Sequence, residues 1–304
     1  MVDIEKIKKQ KSMKELLEFS IINIDKSSGP TSFNISDFVR KSLKEIGVRK
    51  TSHFGTLDPK VTGVLPIALN RACKLTGYFL GEDKEYIGIM RIHKDISLDK
   101  IQELINKKFL GKIIQKPPVK SRVKRQERER EVKKFELLEK DGKDILFLAE
   151  VQGGTYIRKL LDDLGKELGI GAHMLELRRI RACIFEEDTL KGTSDKNYPS
   201  VNLYDFQNAV EEYKKGNEKF LREILIPAEI ISKIYPFIEV KKESLEKLFT
   251  GKPVLKEDLK KSEKFEDNKI ICVFSDEKFI GMYEIVNESH VFAKPKFVLQ
   301  PLKN

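Results

Sequence analysis

One carboxylate occupies an otherwise apolar stretch near the start of the chain. The segment Thr51–Asn70 contains a single acidic residue, Asp58, and a single basic one, Lys60, although 35% of the whole chain is charged. Pro59 follows Asp58 directly, and a residue before proline is biased towards extended backbone and away from helix interiors. An isolated carboxylate in such surroundings can act as a nucleophile or a general base. The alternative is an Asx turn, which the Asp-Pro pair favours, and this stretch alone leaves both open.

A second distinctive stretch concentrates positive charge. From Lys112 to Lys134 there are ten lysines or arginines and three glutamates, and the stiff pair Pro117-Pro118 lies near its start. Such a segment is suited to phosphate contacts and to ordering on RNA or DNA. A solvated charged loop is the alternative, and a nuclear-import signal is a third interpretation. The candidate nucleic-acid contacts within it are Lys120, Arg122, Lys124 and Arg125.

Two further features could contribute to a site. Residues 177–181 read Leu-Arg-Arg-Ile-Arg on a predicted strand. One of these arginines could point inward and hold a carboxylate through a bidentate pair, or the strand face could be exposed and bind nothing. Tyr86, at the start of another predicted strand, could stack on a base or exchange a proton. It could equally be a tyrosine of the core.

Composition limits the class of protein. The 304 residues favour a main domain with an accessory one, and the net charge of +10 suggests a polyanionic partner, with nucleic acid ahead of a membrane. The three cysteines and four histidines are scattered, which indicates neither a zinc site nor a disulfide framework. No segment has the apolar core of a signal peptide or a membrane span. We therefore expect a soluble protein of a reducing, intracellular compartment.

The apolar pattern predicts an α+β fold with a mixed, mainly antiparallel sheet flanked by helices. We expect an N-terminal extension over residues 1–20, a main domain over 21–236 and a small β-rich module over 237–304. The predicted elements are a charged helix at 4–18, a loop at 53–67, strands at 85–92, 133–139, 145–151 and 174–185, a helix at 157–168 and helical segments over 200–232.

Together these segments resemble the TruB/dyskerin family of pseudouridine synthases. Residues 55–66, which read GTLDPKVTGVLP, match the family's catalytic loop nearly throughout. Lys84-Glu85-Tyr86, the stretch Gly154–Arg158 and the stretch Gly171–Arg179 follow in the family's order. The likeness covers about Ile21 to Phe185, and the C-terminal module resembles a PUA domain more weakly. Four motifs in one order are far more specific than any one of them.

Within the family the chain looks most like the archaeal dyskerin-like branch, which modifies RNA chosen by an H/ACA guide. The loop Gln115–Arg130, the pattern around Glu85–Ile92 and an extension before the first motif favour this branch. There are departures, which put the rigidity of two loops in question. Ser27-Ser28 replaces an expected proline pair, Phe54 stands where glycine is common, and residues 182–184 replace a Ser-Gly-Pro-like stretch.

The resemblance implies a mechanism without metal or cofactor. The family breaks the N1–C1′ bond of a uridine, turns the base and rejoins it through C5, which requires the nucleotide to leave its stack. Asp58 would be the nucleophile, with attack at C1′ or at C6 left open. Arg179 would keep Asp58 ionised and oriented by pairing with it in a dry pocket. Tyr86 would stack on the flipped base and assist proton transfer.

The resemblance also implies the RNA contacts and the partners. His53, Lys60 and Arg158 would contact the RNA or support the pocket, the basic 112–134 segment would clamp the substrate strand, and the PUA-like module would grip the guide. The implied partners are H/ACA guide RNA, rRNA and tRNA substrates and small accessory proteins, including a zinc-ribbon peptide and a kink-turn binder, with no membrane. Two alternatives stay open. One is a guide-independent synthase for the tRNA TΨC loop, and the other is a non-catalytic RNA-binding scaffold.

Overall fold

The computed structural model describes residues 2–117, 124, 126–187, 198–262 and 264–301. Within these ranges, eleven strands form one mixed sheet and five strands form a second sheet, with helices packed around them. This confirms the expected α+β class. Lys120, Arg122 and Arg125 of the basic segment lie outside the described residues.

The large sheet places the motif-bearing strands side by side. Its main order is β11-β1-β3-β8-β4-β7-β6-β5, in which β3 and β8 run parallel and the other neighbours run antiparallel. The short β2 pairs with β3, and β9 joins β8 to β10. The strands are β1 Ser20–Lys26, β2 Thr51–His53, β3 Thr62–Leu69, β4 Lys84–Ile92, β5 Gly111–Gln115, β6 Arg128–Asp141, β7 Asp144–Val151, β8 Ala172–Ala182, β9 Phe185–Glu186, β10 Tyr198–Pro199 and β11 Ile226–Pro227.

Three sequence-based boundaries were wrong. The predicted loop at 53–67 ends early, because β3, which is almost entirely buried, begins at Thr62. The basic segment contains strand at both described ends, because β5 pairs with the first residues of β6 from Gly111↔Val132 to Gln115↔Arg128. The predicted helix at 4–18 is two helices, since Ser12 lies between them and forms a capping box with Glu15.

The helices cover the sheet with apolar stripes. Helix α6 buries Ile157, Leu160, Leu161 and Leu164 against it, as its periodicity predicted. Gly165 of the same helix touches β8 so closely that a Cβ there would lie 2.1 Å from the Ala172 nitrogen. The helices are α1 Ile4–Gln10, α2 Met13–Glu18, α3 Ser32–Ser42, α4 Thr76–Leu80, α5 Leu98–Lys108, α6 Ile157–Glu167, α7 Leu203–Lys214, α8 Lys219–Ile224 and α9 Leu245–Phe249. No helix in the described part of the chain has the length and apolar character needed to cross a bilayer.

The second sheet packs against the N-terminal segment. Its order is β12-β14-β15-β16-β13. The Phe19 ring stacks on Phe279 with centroids 5.5 Å apart, and both belong to one buried cluster with Ile4 and Phe274. The first twenty residues therefore help to join the two sheets. The strands are β12 Phe237–Glu239, β13 Val254–Leu255, β14 Ile270–Ser275, β15 Lys278–Glu288 and β16 Val291–Val298.

This packing predicts a stability difference between two phenylalanines. Phe19→Ala removes a ring that is 2% exposed and should lower the free energy of unfolding by about 3–5 kcal/mol. Phe33→Ala, which removes a ring that is 71% exposed, should change it by less than ~0.5 kcal/mol. Chemical denaturation measures both variants. Equal losses would show that Phe19 does not join the two sheets.

Candidate active site

Asp58 lies in a short loop, residues 54–61, that connects β2 to β3. The residue before it is fixed by Ser32, whose hydroxyl accepts from the Leu57 nitrogen at 2.7 Å and donates to the Leu57 oxygen at 3.0 Å. The main-chain nitrogen of Val61 donates to the main-chain oxygen of Asp58 at 3.0 Å, and this hydrogen bond closes a turn around Pro59. The backbone on both sides of the carboxylate is therefore constrained by the protein.

A buried lysine forms hydrogen bonds with the C-terminal part of this loop. Lys26, the last residue of β1, is fully buried, and its Nζ donates to the oxygens of Ser27 at 2.9 Å, Pro59 at 2.9 Å and Val61 at 2.7 Å. Burial lowers the pKa of Lys26, while the negative charge of Asp58 acts in the opposite direction. The sequence analysis missed this residue. Its position at the end of an apolar strand was the available signal.

Among the described residues, Asp58 forms its ion pair with Arg158 and not with Arg179, the expected partner. The distance from Arg158 Nη2 to Asp58 Oδ2 is 2.9 Å, and the Asp58 side chain is 45% exposed. The expected dry pocket is therefore also wrong for this structure, because the carboxylate faces an open surface. Arg158 is the second residue of α6, so the start of that helix determines where its guanidinium lies.

Arg179 has a different place because of the strand pairing. The parallel register of β3 and β8 sets Gly63 beside Arg179, which turns the arginine beneath the loop. Arg179 is 1% exposed, and it donates from Nε to the Val64 oxygen at 2.7 Å and from Nη2 to the Gly55 oxygen at 3.1 Å. Burial lowers its pKa, and the neighbouring Tyr86 side chain opposes this shift. Arg179 therefore supports the backbone of the Asp58 loop through hydrogen bonds near both of its ends.

Two glycines permit this support. Gly63 has a φ of 100°, and a Cβ on it would lie 2.2 Å from the Arg179 oxygen. Gly55 has a φ of 108°, and a Cβ there would lie 3.1 Å from Arg179 Nη1. The close approach that these glycines allow is to Arg179.

Tyr86 lies next to Arg179 across the β4–β8 pair. It is 8% exposed and belongs to the main apolar cluster, so the structure gives it the core environment that the sequence left as an alternative. Tyr86 also acts on the arginine that supports the Asp58 loop, because it opposes the lowering of the pKa of Arg179. Little of this residue is therefore accessible to a base.

The remaining predicted contacts are dispersed. His53 ends β2, and burial, reinforced by the charge of Arg179, lowers its pKa. Its Nδ1 is buried and has no hydrogen-bond partner among the described residues. Lys60 lies two residues beyond Asp58 and is exposed, as is Lys124 in the basic segment. The structure thus brings Arg158 and Asp58 together, with His53 near Arg179, while Lys60 and Lys124 point to the surface.

A second buried cation lies beside Arg179. Lys84 is 4% exposed, and its Nζ donates to the oxygens of Phe79 at 3.1 Å, Leu80 at 2.9 Å and also Glu82. These carbonyl groups lie at the end of α4, so the lysine caps that helix. Burial, followed by repulsion from Arg179, lowers the pKa of Lys84 to about 8.

The depressed pKa of Lys84 predicts a pH effect with a defined sign. Between about pH 8 and the ordinary lysine pKa of 10.5, the unfolded chain binds a proton at this position that the folded chain has released. The free energy of unfolding of the wild type, measured relative to that of Lys84→Met, should therefore rise with pH through this window. The reason is that the unfolded state binds more protons than the folded state. Urea denaturation at a series of pH values measures the difference. A difference that stays constant would contradict the assignment.

Comparisons with known proteins agree with the family resemblance that the sequence motifs indicate. Residues 41–157 match the family model described as "TruB family pseudouridylate synthase (N terminal domain)", and residues 158–232 match "tRNA pseudouridylate synthase B C-terminal domain". A probable tRNA pseudouridine synthase B from Nanoarchaeum equitans is 44% identical over 218 residues, covering 71% of this chain and 58% of that protein. The protein of the same name from Archaeoglobus fulgidus is 39% identical over 246 residues, covering 80% of this chain and 70% of that protein.

Solved structures extend the match to nearly the whole chain. A chain of the crystal structure of a Cbf5–Nop10–Gar1 complex is 31% identical, with a TM-score of 0.85 and coverage of 97% of this chain and 89% of that one. A chain of an H/ACA RNP bound to a substrate RNA containing 2′-deoxyuridine is 29% identical, with a TM-score of 0.83 and coverage of 97% and 89%. The two family models together span most of the sequence. The chain therefore belongs to the TruB family of pseudouridine synthases, isomerases that act on RNA.

Proposed function

We propose that this protein isomerises uridine to pseudouridine in RNA with Asp58 as the nucleophile. The observation that carries the proposal is the Arg158–Asp58 ion pair, presented on a loop that Lys26, Ser32 and Arg179 hold by hydrogen bonds. A fixed carboxylate beside a guanidinium is oriented and charge-complemented before substrate arrives.

The chemistry fits this arrangement. The N1–C1′ bond breaks, the base turns, and a C5–C1′ bond forms, after which the proton at C5 is lost and N1 carries a proton. No electron is transferred overall, and a carboxylate can form and leave a covalent adduct at C1′ or at C6. Asp58 is half exposed, so an extruded uridine could reach it directly and then exclude water from it.

The supporting residues divide into two groups in this proposal. Arg158 contacts the reacting carboxylate, while Arg179 positions the loop through its hydrogen bonds to Gly55 and Val64. Tyr86 would contact the base through its uncovered edge. His53, just before the loop, and Lys60, within it, would contact the RNA strand that carries the target.

The substrate is proposed to be RNA selected by an H/ACA guide. This rests on the near-complete structural likeness to chains of Cbf5 complexes, on the basic 112–134 segment and on the C-terminal β-rich module, which we propose acts as a PUA-like RNA-binding domain over residues 237–304. Small accessory proteins like those of the Cbf5–Nop10–Gar1 complex would be its partners. The second candidate is guide-independent action on tRNA, which the names of the curated relatives favour.

The nucleophile assignment predicts a selective loss of chemistry. Asp58→Asn keeps the shape of the side chain but removes its charge, so conversion should fall by at least ~10³-fold while RNA affinity stays within about twofold. Asp95→Asn makes the same change on an exposed carboxylate that pairs with Lys140 and should leave both unchanged. Nucleoside mass spectrometry measures conversion, and filter binding measures RNA affinity. Conversion by Asp58→Asn at the wild-type rate would show that Asp58 is not the nucleophile, whereas the RNA-binding scaffold hypothesis requires that the wild-type protein itself converts no uridine.

Guide dependence requires its own experiment. Purified protein is incubated with a tRNA transcript alone, and separately with accessory proteins, an H/ACA guide RNA and a matched target. We expect conversion of the target only when the guide matches it, because pairing with the guide selects the uridine. Efficient tRNA conversion with no guided activity would instead establish the guide-independent enzyme.

A further inference from the structure

The last residue of β5 makes an unusual contact with the start of α6. Gln115 is 3% exposed, and both polar atoms of its side-chain amide form hydrogen bonds with a single residue. Its Oε1 accepts from the Tyr156 nitrogen at 3.0 Å, and its Nε2 donates to the Tyr156 oxygen at 3.3 Å. The same Tyr156 oxygen accepts the first hydrogen bond within α6, from the Leu160 nitrogen at 2.9 Å.

This contact holds the N-cap residue of α6 from a different strand. Tyr156 occupies the N-cap position of α6, and its own side chain makes no capping hydrogen bond. Helices usually satisfy their first nitrogens with a local side chain, whereas here the orientation of the first turn is fixed from a different strand. Arg158, which holds Asp58, lies two residues after Tyr156 in that same turn.

The loop before Tyr156 is also held on both sides. A Cβ on Gly153 would lie 2.3 Å from the Leu80 oxygen, so this residue packs directly against the end of α4. The Arg130 guanidinium of β6 covers Gly154, with Nε 3.2 Å from the position of a Cβ there. The antiparallel β5–β6 ribbon therefore contacts the start of α6 through Gln115 and Arg130.

We propose that Gln115 is a positioning residue for catalysis, which fixes the first turn of α6 so that Arg158 meets the Asp58 carboxylate. The proposal rests on the function proposed above. Glutamine suits the position because an amide offers an acceptor and a donor at once, as the nitrogen and oxygen of Tyr156 require. A glutamate would keep the acceptor, but its second carboxylate oxygen would face the Tyr156 oxygen, and two acceptors repel each other.

The first test is a double-mutant cycle under single-turnover conditions. Gln115→Glu should slow conversion about 10–100-fold with RNA affinity within about twofold, since a small displacement of Arg158 affects the chemical step. In an Arg158→Ala background the same change should slow conversion less than about twofold, because no guanidinium remains to be positioned. Equal fold-losses in the two backgrounds would overturn the proposal.

A matched control separates positioning from general stability. Gln102 makes the same kind of bridge elsewhere: its Nε2 donates to the Phe135 oxygen at 3.0 Å, and its Oε1 accepts from the Leu137 nitrogen at 2.9 Å. Gln102→Glu should lower the melting temperature but leave the single-turnover rate of the folded protein within about twofold. If Gln102→Glu slows conversion as much as Gln115→Glu, the proposal fails.

A second readout does not require activity. In protein labelled with ¹⁵N-arginine, the side-chain signal of Arg158 is identified by its loss in Arg158→Ala. It should shift in Gln115→Glu and in the neutral variant Gln115→Leu, but stay in place in Gln102→Glu. An unmoved signal, or failure of both Gln115 variants to fold, would show that Gln115 is a stability residue only. Asp58→Asn serves as the reference, because retained activity there would contradict the proposed function rather than this inference.

Discussion

The candidate site depends on two buried cations that hold the backbone of the Asp58 loop. Lys26 and Arg179 are removed from water, and several of their hydrogen bonds end on carbonyl groups of residues 55–64. A buried charge is strongly unfavourable unless such partners satisfy it. Any movement of the loop would leave these charges without partners, so the same interactions that stabilise them keep the loop in one conformation.

The sheet topology makes this arrangement possible. The parallel pairing of β3 with β8 sets Gly63 against Arg179, and β4 brings Tyr86 to the other side of the same arginine. Only glycine fits between β3 and the Arg179 backbone, since a Cβ at Gly63 would overlap its oxygen. Helix α6, whose Gly165 packs against Ala172 of β8, then contributes Arg158, which pairs with the carboxylate.

The sequence was sufficient for the α+β class, because periodicity is a local signal. The isolated carboxylate drew attention to Asp58, and the resemblance to the family made it the candidate nucleophile. It failed to distinguish Arg158 from Arg179, because both stand in motifs and their directions depend on a strand register and on the rotation of a helix. Lys26 and Gln115 were passed over since lysine and glutamine are usually surface residues. The break between α1 and α2 could have been predicted, because Ser12 and Glu15 have the spacing of a capping box.

The most direct test of this account compares the two arginines. Arg158→Lys should slow single-turnover conversion about 10–100-fold while the free energy of unfolding stays within ~0.5 kcal/mol, because Arg158 is half exposed and acts on the carboxylate. Arg179→Met should lower the free energy of unfolding by ~3 kcal/mol or more, since buried carbonyl groups lose their donor. The opposite pattern, a stable and inactive Arg179 variant beside a fully active Arg158→Lys, would contradict the account.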